Sequence, residues 1–412
     1  MGKNQVMIKF LRILNFYIPT FLLVGISGIP IFMTDQFLII TFMYFLFLAL
    51  SKKIKIYRSE VLIIFIFSVL FVVQFEIFSN YSFVTLLGTL LRMLIGLFYL
   101  KIMKKNIVFS FVSSMNVISL FSLFIYLLVN VNPIILNFFK DISILNGEEW
   151  EKFSTIIIYQ FSPLSDVTRN IGPFWEPGVF GVFLIISLYF KLFLLKLPVR
   201  KCLIEILCII TTISTATYLL FFLVLIYYAS RSFKVRSKLL ILPVIFITAS
   251  YLYSSTEVLG EKINDQLIEA TVSDRMIGEN RFLSILRDYN DLQESFFWGT
   301  GFYLENRFFY SPGRTNSNSG LSNQIVTFGF FGSLLFFYLL YRGTYHLFLD
   351  FFRNHNPLYI NKSVIVKANN FEIKKLSKIF FAILLTASVS ELILSMSFIY
   401  MLMMHQRINN KQ

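Results

Sequence analysis

Arg169 and Glu176 stand in one short run, Arg169-Asn170-Ile171-Gly172-Pro173-Phe174-Trp175-Glu176-Pro177-Gly178, immediately before an apolar stretch. A guanidinium holds a phosphate through paired hydrogen bonds, a carboxylate can take a proton, and proline and glycine fix the backbone between them. The same residues are compatible with a surface ion pair flanked by aromatic interface anchors. Further along, Arg275, Arg281, Arg287, Arg307 and Arg314 recur in a segment that is otherwise rich in acids. For any one of them, a salt bridge to a neighbouring carboxylate competes with anion binding. Arg281 opens a stretch in which Phe282, Ile285, Leu286, Tyr289, Leu292 and Phe296 repeat at helical spacing. That predicts an amphipathic helix lying on a membrane face, and it leads into the turn Trp298-Gly299-Thr300-Gly301.

A polar tract containing Arg314, Asn318 and Ser319 follows, then Gly329-Phe330-Phe331-Gly332, where small residues permit close helix packing. Arg92 lies in the middle of another apolar run. A charge at that depth costs about 2.5–3.5 kcal/mol on insertion scales, so it needs a partner or an aqueous cavity. Glu76, Glu205 and Glu391 are candidate partners, and both a structural ion pair and a substrate contact fit.

Several chemistries lack their residues. The three histidines, His346, His355 and His405, all fall on the side opposite the arginine-bearing loops. There is no P-loop, no Gly-x-Gly-x-x-Gly and no Asp-x-Asp pair. Asp288 and Asp291 lie on a helix that amphipathicity already explains, and Cys202 and Cys208 share one apolar stretch, so they build neither a disulfide framework nor a metal site. No metal and no cofactor are expected, and stabilisation of a developing anion falls to arginine.

The elements that would position these groups are membrane helices. The 412 residues are 56% hydrophobic and 15% charged, well under the quarter usual in soluble domains. About twelve spans are predicted, at 13–33, 36–50, 60–78, 82–100, 107–130, 178–195, 202–214, 217–230, 239–253, 321–341, 379–392 and 394–406, with a tight turn at Ser214–Thr217. The net charge of +14 is a topology signal and predicts no nucleic-acid partner, because the basic residues cluster in alternate loops. Both termini are then cytoplasmic, and the two long segments 131–177 and 254–320 lie outside. The expected fold is a single all-α polytopic membrane domain over 1–412.

The Arg169, Gly172, Phe174, Glu176, Pro177 pattern, the Arg281 helix ending in Trp298-Gly299-Thr300-Gly301, and the spacing of Asn318-Ser319 to Gly329 and Gly332 together resemble the O-antigen polymerase (Wzy-type) and O-antigen ligase superfamily. In the ligases a histidine stands where this chain has Asn318, so the polymerase branch is the closer match. The resemblance implies a GT-C-like membrane glycosyltransferase in a bacterial inner membrane. Its donor and acceptor would be undecaprenyl-diphosphate-linked glycans within the membrane lipid, with a chain-length regulator as a possible partner. It further implies Arg169, Arg281 and Glu176 as catalytic groups, and Arg92, Arg287, Gly299, Gly301, Arg314 and Asn318 as substrate contacts. A lipid-linked oligosaccharide flippase and the ligase itself are the competing readings.

Overall fold

The computed structural model describes residues 3–78, 83–132, 154–156, 159–161, 169–232, 281–302, 319–354 and 369–405, the backbone alone at 3–15, 154–156, 161, 281–283 and 354. Thirteen helices and one small hairpin appear among the described residues. They are α1 Lys3–Gly28, α2 Pro30–Met33, α3 Asp35–Ser51, α4 Arg58–Ile77, α5 Phe83–Met103 and α6 Ile107–Val131; then the strands β1 Ser154–Ile156 and β2 Tyr159–Phe161; then α7 Pro177–Tyr189, α8 Leu203–Thr211, α9 Thr215–Ser232, α10 Arg281–Glu294, α11 Gly320–Asn354, α12 Asn370–Ser390 and α13 Ser397–Met404. The expected span at 239–253 and the second-loop residues before 281 lie outside the described residues.

Five helical runs are long and apolar enough to cross a bilayer: Arg58–Ile77, Phe83–Val131 (which joins α5 to α6), Pro177–Leu194, Thr215–Ser232 and Gly320–Arg353. Their outward faces carry the expected signature. Val61, Leu62, Phe65, Val69 and Val72 form an exposed apolar ridge down α4, and Val117, Leu120, Phe121, Phe124 and Leu127 do the same on α6. Continuous apolar ridges of this length face lipid in a stable protein rather than water. The chain is therefore an all-α protein of membrane character.

At the centre stands α7, buried along its whole length and continued by a π-helical turn, Phe190–Leu194. Pro177 at its first position supplies a helical φ and needs no hydrogen-bond acceptor, so the helix starts cleanly after Glu176. Its aromatic side chains interlock with neighbours: Phe183 packs on Phe111, Phe174 and Phe398, and Phe190 on Phe348 and Phe380. Within the π turn, Lys191 pairs with Glu205 of α8 and its Nζ donates to Asn116 Oδ1 at 2.5 Å and to the Lys201 carbonyl at 3.1 Å. Both charged groups are almost fully buried, so each depends on the other.

The short elements differ from the expected spans. α8 and α9 form the anticipated hairpin, turning at Thr212–Ser214, with Ile213 in the left-handed region (φ 46). The eight residues of α13 rise only about 12 Å, too short to cross a bilayer. α13 is instead a fully buried half-helix packed on α5 and α11, and it returns into the bundle after α12 ends at Ser390.

Candidate functional site

Several helix ends meet where the Arg169–Gly178 segment crosses the bundle. Asn170 anchors it: its Oδ1 accepts from Ser122 Oγ of α6 at 2.5 Å, its Nδ2 donates to Thr211 Oγ1 at 2.9 Å, and its backbone N–H donates to the Thr211 carbonyl at 2.9 Å. The β2 strand joins through the Gln160 N–H, which donates to the Gly172 carbonyl at 2.7 Å, and the Trp175 N–H donates to Gly28 at the end of α1 at 3.2 Å. Beside Gln160, burial holds the Tyr159 phenol well above its ordinary pKa, so it remains neutral.

Arg169 does not pair with Glu176. Its Nε donates to the Thr212 carbonyl at 3.2 Å and its Nη2 to the Ile213 carbonyl at 2.7 Å. Those carbonyls close the C-terminus of α8, where a cation is favoured by the helix dipole and by otherwise orphaned acceptors. Arg169 thus fixes the α8–α9 turn. Glu176 is exposed and occupies the N-cap of α7 without a side-chain capping bond.

A second carboxylate reaches the same helix start. Glu391, at the C-terminus of α12, is 3% exposed, and its carboxylate packs so closely on Gly178 that any Cβ there would overlap it. The Glu391 backbone similarly excludes a side chain at Gly320, the first residue of α11. The starts of α7 and α11 therefore both pack against Glu391 at the end of α12, α7 against its carboxylate and α11 against its backbone. Its sequence signal was only an acid near the end of an apolar run; the convergence is between segments far apart in the chain.

α11 is broken at Gly329, which has φ 64 and ψ −171. A break at membrane depth exposes N–H and C=O groups that lipid cannot satisfy, at several kcal/mol for each one left bare. The segment following α10 satisfies them. Thr300 N–H donates to the Val326 carbonyl at 2.9 Å and Gly301 N–H to Thr327 at 3.1 Å, while Phe330 N–H donates to Phe296 at 2.8 Å and Phe331 N–H to Phe297 at 3.4 Å. Gln74 of α4 adds Nε2 bonds to the carbonyls of Trp298, 2.6 Å, and Thr327, 2.7 Å. Phe296 stacks on Phe330 and Phe297 on Phe331. Gly299 and Gly329, both with positive φ, approach so closely that a Cβ on either would strike the other's backbone. Gly299 and Gly301 thereby act through their backbones, splicing the loop into the helix break.

The splice sets the orientation of α10, and the helix turns the less expected face inward. Leu286 and Tyr289 are exposed, whereas Ser284, Arg287, Asp288 and Asp291 are buried, the last three at 8%, 1% and 0% exposure. Asp288 Oδ2 accepts from Ser322 Oγ of α11 at 2.5 Å. Close by, Ser319 just before α11 and Gln324 and Thr327 within it are also buried, and Gln324 Nε2 has no hydrogen-bond partner among the described residues. The i, i+3, i+4, i+7 spacing of Ser284, Arg287, Asp288 and Asp291 was readable in the sequence, but periodicity alone does not say which face points in. In a lipid-facing helix, the polar stripe is the internal one.

Arg92, on α5, lies within electrostatic range of Tyr400 on the re-entrant half-helix α13 and of Asp35 at the start of α3. Glu205, an expected partner, is committed instead to Lys191, and the carboxylate within electrostatic range of Arg92 is Asp35. The Arg281 side chain, Arg314 and Asn318 lie outside the described residues. No group of three or more histidine, cysteine, aspartate or glutamate side chains gathers as a metal site among the described residues. Comparison with protein families, with characterised proteins and with solved structures finds no match to this chain.

Proposed function

We propose that the chain is a membrane glycosyltransferase of the O-antigen polymerase kind, joining undecaprenyl-diphosphate-linked repeat units into a surface polysaccharide at the outer face of a bacterial inner membrane. The observation that carries this reading is the buried Arg287, Asp288 and Asp291 face of α10, held against the N-terminal half of a broken helix. Burying such ions costs several kcal/mol each after relaxation, and a polar interior of this kind suits a charged lipid-borne substrate. Glu391 at the start of α7 adds a carboxylate near Glu176.

In the reaction, an acceptor hydroxyl attacks the anomeric carbon of the donor glycan. The bond from that carbon to the diphosphate oxygen breaks, and the lipid diphosphate leaves with an added negative charge. Arginine guanidiniums, with Arg169, Arg281, Arg287 and Arg314 as candidates, would stabilise that charge. The hydroxyl proton passes to a carboxylate, for which Glu176 is joined by Glu391, Asp288 and Asp291 as candidates.

A flippase or other transporter is the second reading, and the discontinuous α11 favours it, since broken helices commonly form substrate sites in transporters. Against it, the backbone groups freed at Gly329 are already bonded to residues 296–301 rather than presented to a substrate. Deleting the gene and separating surface glycan on a gel distinguishes the two. Collapse of a ladder to a single repeat unit supports the polymerase; complete loss of surface glycan supports transport or ligation and overturns it.

A further inference from the structure

At the opposite end of the bundle from Arg169 and Glu176, a cavity of about 710 Å³ opens between the ends of α3, α5, α11 and α13. Six lysines line it: Lys52, Lys53, Lys55, Lys101, Lys104 and Lys105. Asp350 is the acid among its lining residues, and Glu60 lies behind Lys101. Glu60 pairs with Lys101 at 2.6 Å, and Asp350 faces His405 Nε2 at 3.1 Å. The other five lysines form no ion pair among the described residues. A basic loop at a helix end is ordinary in a membrane protein, and one lysine elsewhere, Lys196, holds left-handed backbone (φ 50). Two features combine in this cavity: it brings two such lysines together and joins them to the lipid-facing surface.

The first is backbone strain. Lys53 and Lys104 both hold left-handed backbone, φ 49 and 47, at the ends of α3 and α5. Glycine or asparagine fits that conformation at little cost, whereas lysine does not, so two charges are placed in one cavity against local preference. The second is continuity with lipid. Tyr57 forms one wall, with its ring 3.9 Å from Lys101 Nζ, and from it the exposed ridge of Val61, Phe65 and Val69 runs down α4. A head group in the cavity would therefore have an apolar track for its acyl chains.

We propose that this cavity binds the phosphate-bearing head group of an anionic phospholipid from the surrounding bilayer, with Lys53 and Lys104 as its principal contacts. The lipid's phosphate meets the lysine ring and its chains follow α4. The site is remote from the residues assigned to glycan transfer and stands independently of that assignment.

The test uses purified full-length protein in zwitterionic micelles, titrated with phosphatidylglycerol and, separately, with inorganic phosphate and diphosphate, following the thermal unfolding midpoint and native mass spectra. Phosphatidylglycerol should raise the midpoint and remain bound, with an effect that shrinks as salt is added. The double variant Lys53→Asn/Lys104→Asn removes two charges while suiting the left-handed backbone, so it should fold at least as well without lipid. It should bind phosphatidylglycerol about thirty-fold more weakly. Equal binding by the variant would overturn the proposal. So would a response to phosphate or diphosphate that phosphatidylglycerol does not share, which would assign the cavity to a soluble anion, or no response to any probe.

Discussion

Replacing Gly299 with alanine attacks the splice between the second long loop and the broken helix at its tightest point. At φ 73, an L-residue costs about 1–2 kcal/mol over glycine. The new methyl group would also overlap the Val326 and Thr327 carbonyl oxygens and the Gly329 nitrogen, all backbone atoms that cannot rotate aside. Relief requires the two segments to part, which gives up the Thr300–Val326 and Gly301–Thr327 hydrogen bonds at about 0.5–1.5 kcal/mol net apiece. Together these come to about 2–5 kcal/mol, or on the order of thirty-fold or more in the local opening equilibrium. Amide hydrogen exchange in nanodiscs reads it directly, as faster exchange at Thr300, Gly301, Phe330 and Phe331. Gly88→Ala in α5 is the control, because a Cβ there meets nothing closer than 3.9 Å. If Gly299→Ala leaves exchange at those four amides unchanged, the interlocked helix break is wrong.

Further outcomes follow from individual contacts. Lys191→Met strands Glu205 in the interior and should cost about 3–5 kcal/mol, whereas Lys191→Met with Glu205→Leu should recover most of it; thermal unfolding in detergent compares the two. Arg169→Lys keeps the charge but loses the fork that spans the Thr212 and Ile213 carbonyls, so protease sensitivity at the α8–α9 turn should rise while glycan extension falls. Asp288→Asn keeps an acceptor for Ser322 Oγ and should fold normally, yet lose at least a hundredfold in chain extension if the carboxylate charge is used.

Much of the helical framework could be read in advance because membrane helices are written as long apolar runs. Boundaries such as Asp35–Ser51, Arg58–Ile77 and Ile107–Val131 fall close to expectation. Where the reading fell short, the missing information was three-dimensional. Apolar residues face both lipid and neighbouring helices, so spacing found α10 but not that Asp288 and Asp291 turn inward. Gly329 and Gly332 looked like a packing surface; that Gly329 is a break depends on residues 296–301 being present to bond its freed groups. Arg169 was legible as important, but not its grip on the α8 terminus, which lies more than forty residues away. The length of α13 was hidden because Leu392 to Met396, which are not helical, are as apolar as a helix.

The central claim is tested most directly by reconstituting the purified protein in liposomes with one lipid-diphosphate-linked repeat unit and resolving the products on a gel. A polymerase gives a ladder of extended lipid-linked chains from the native protein, and none from an Arg287→Gln protein that retains the native unfolding midpoint. Absence of any extension by the native protein, with the labelled lipid instead equilibrating between leaflets, would contradict it.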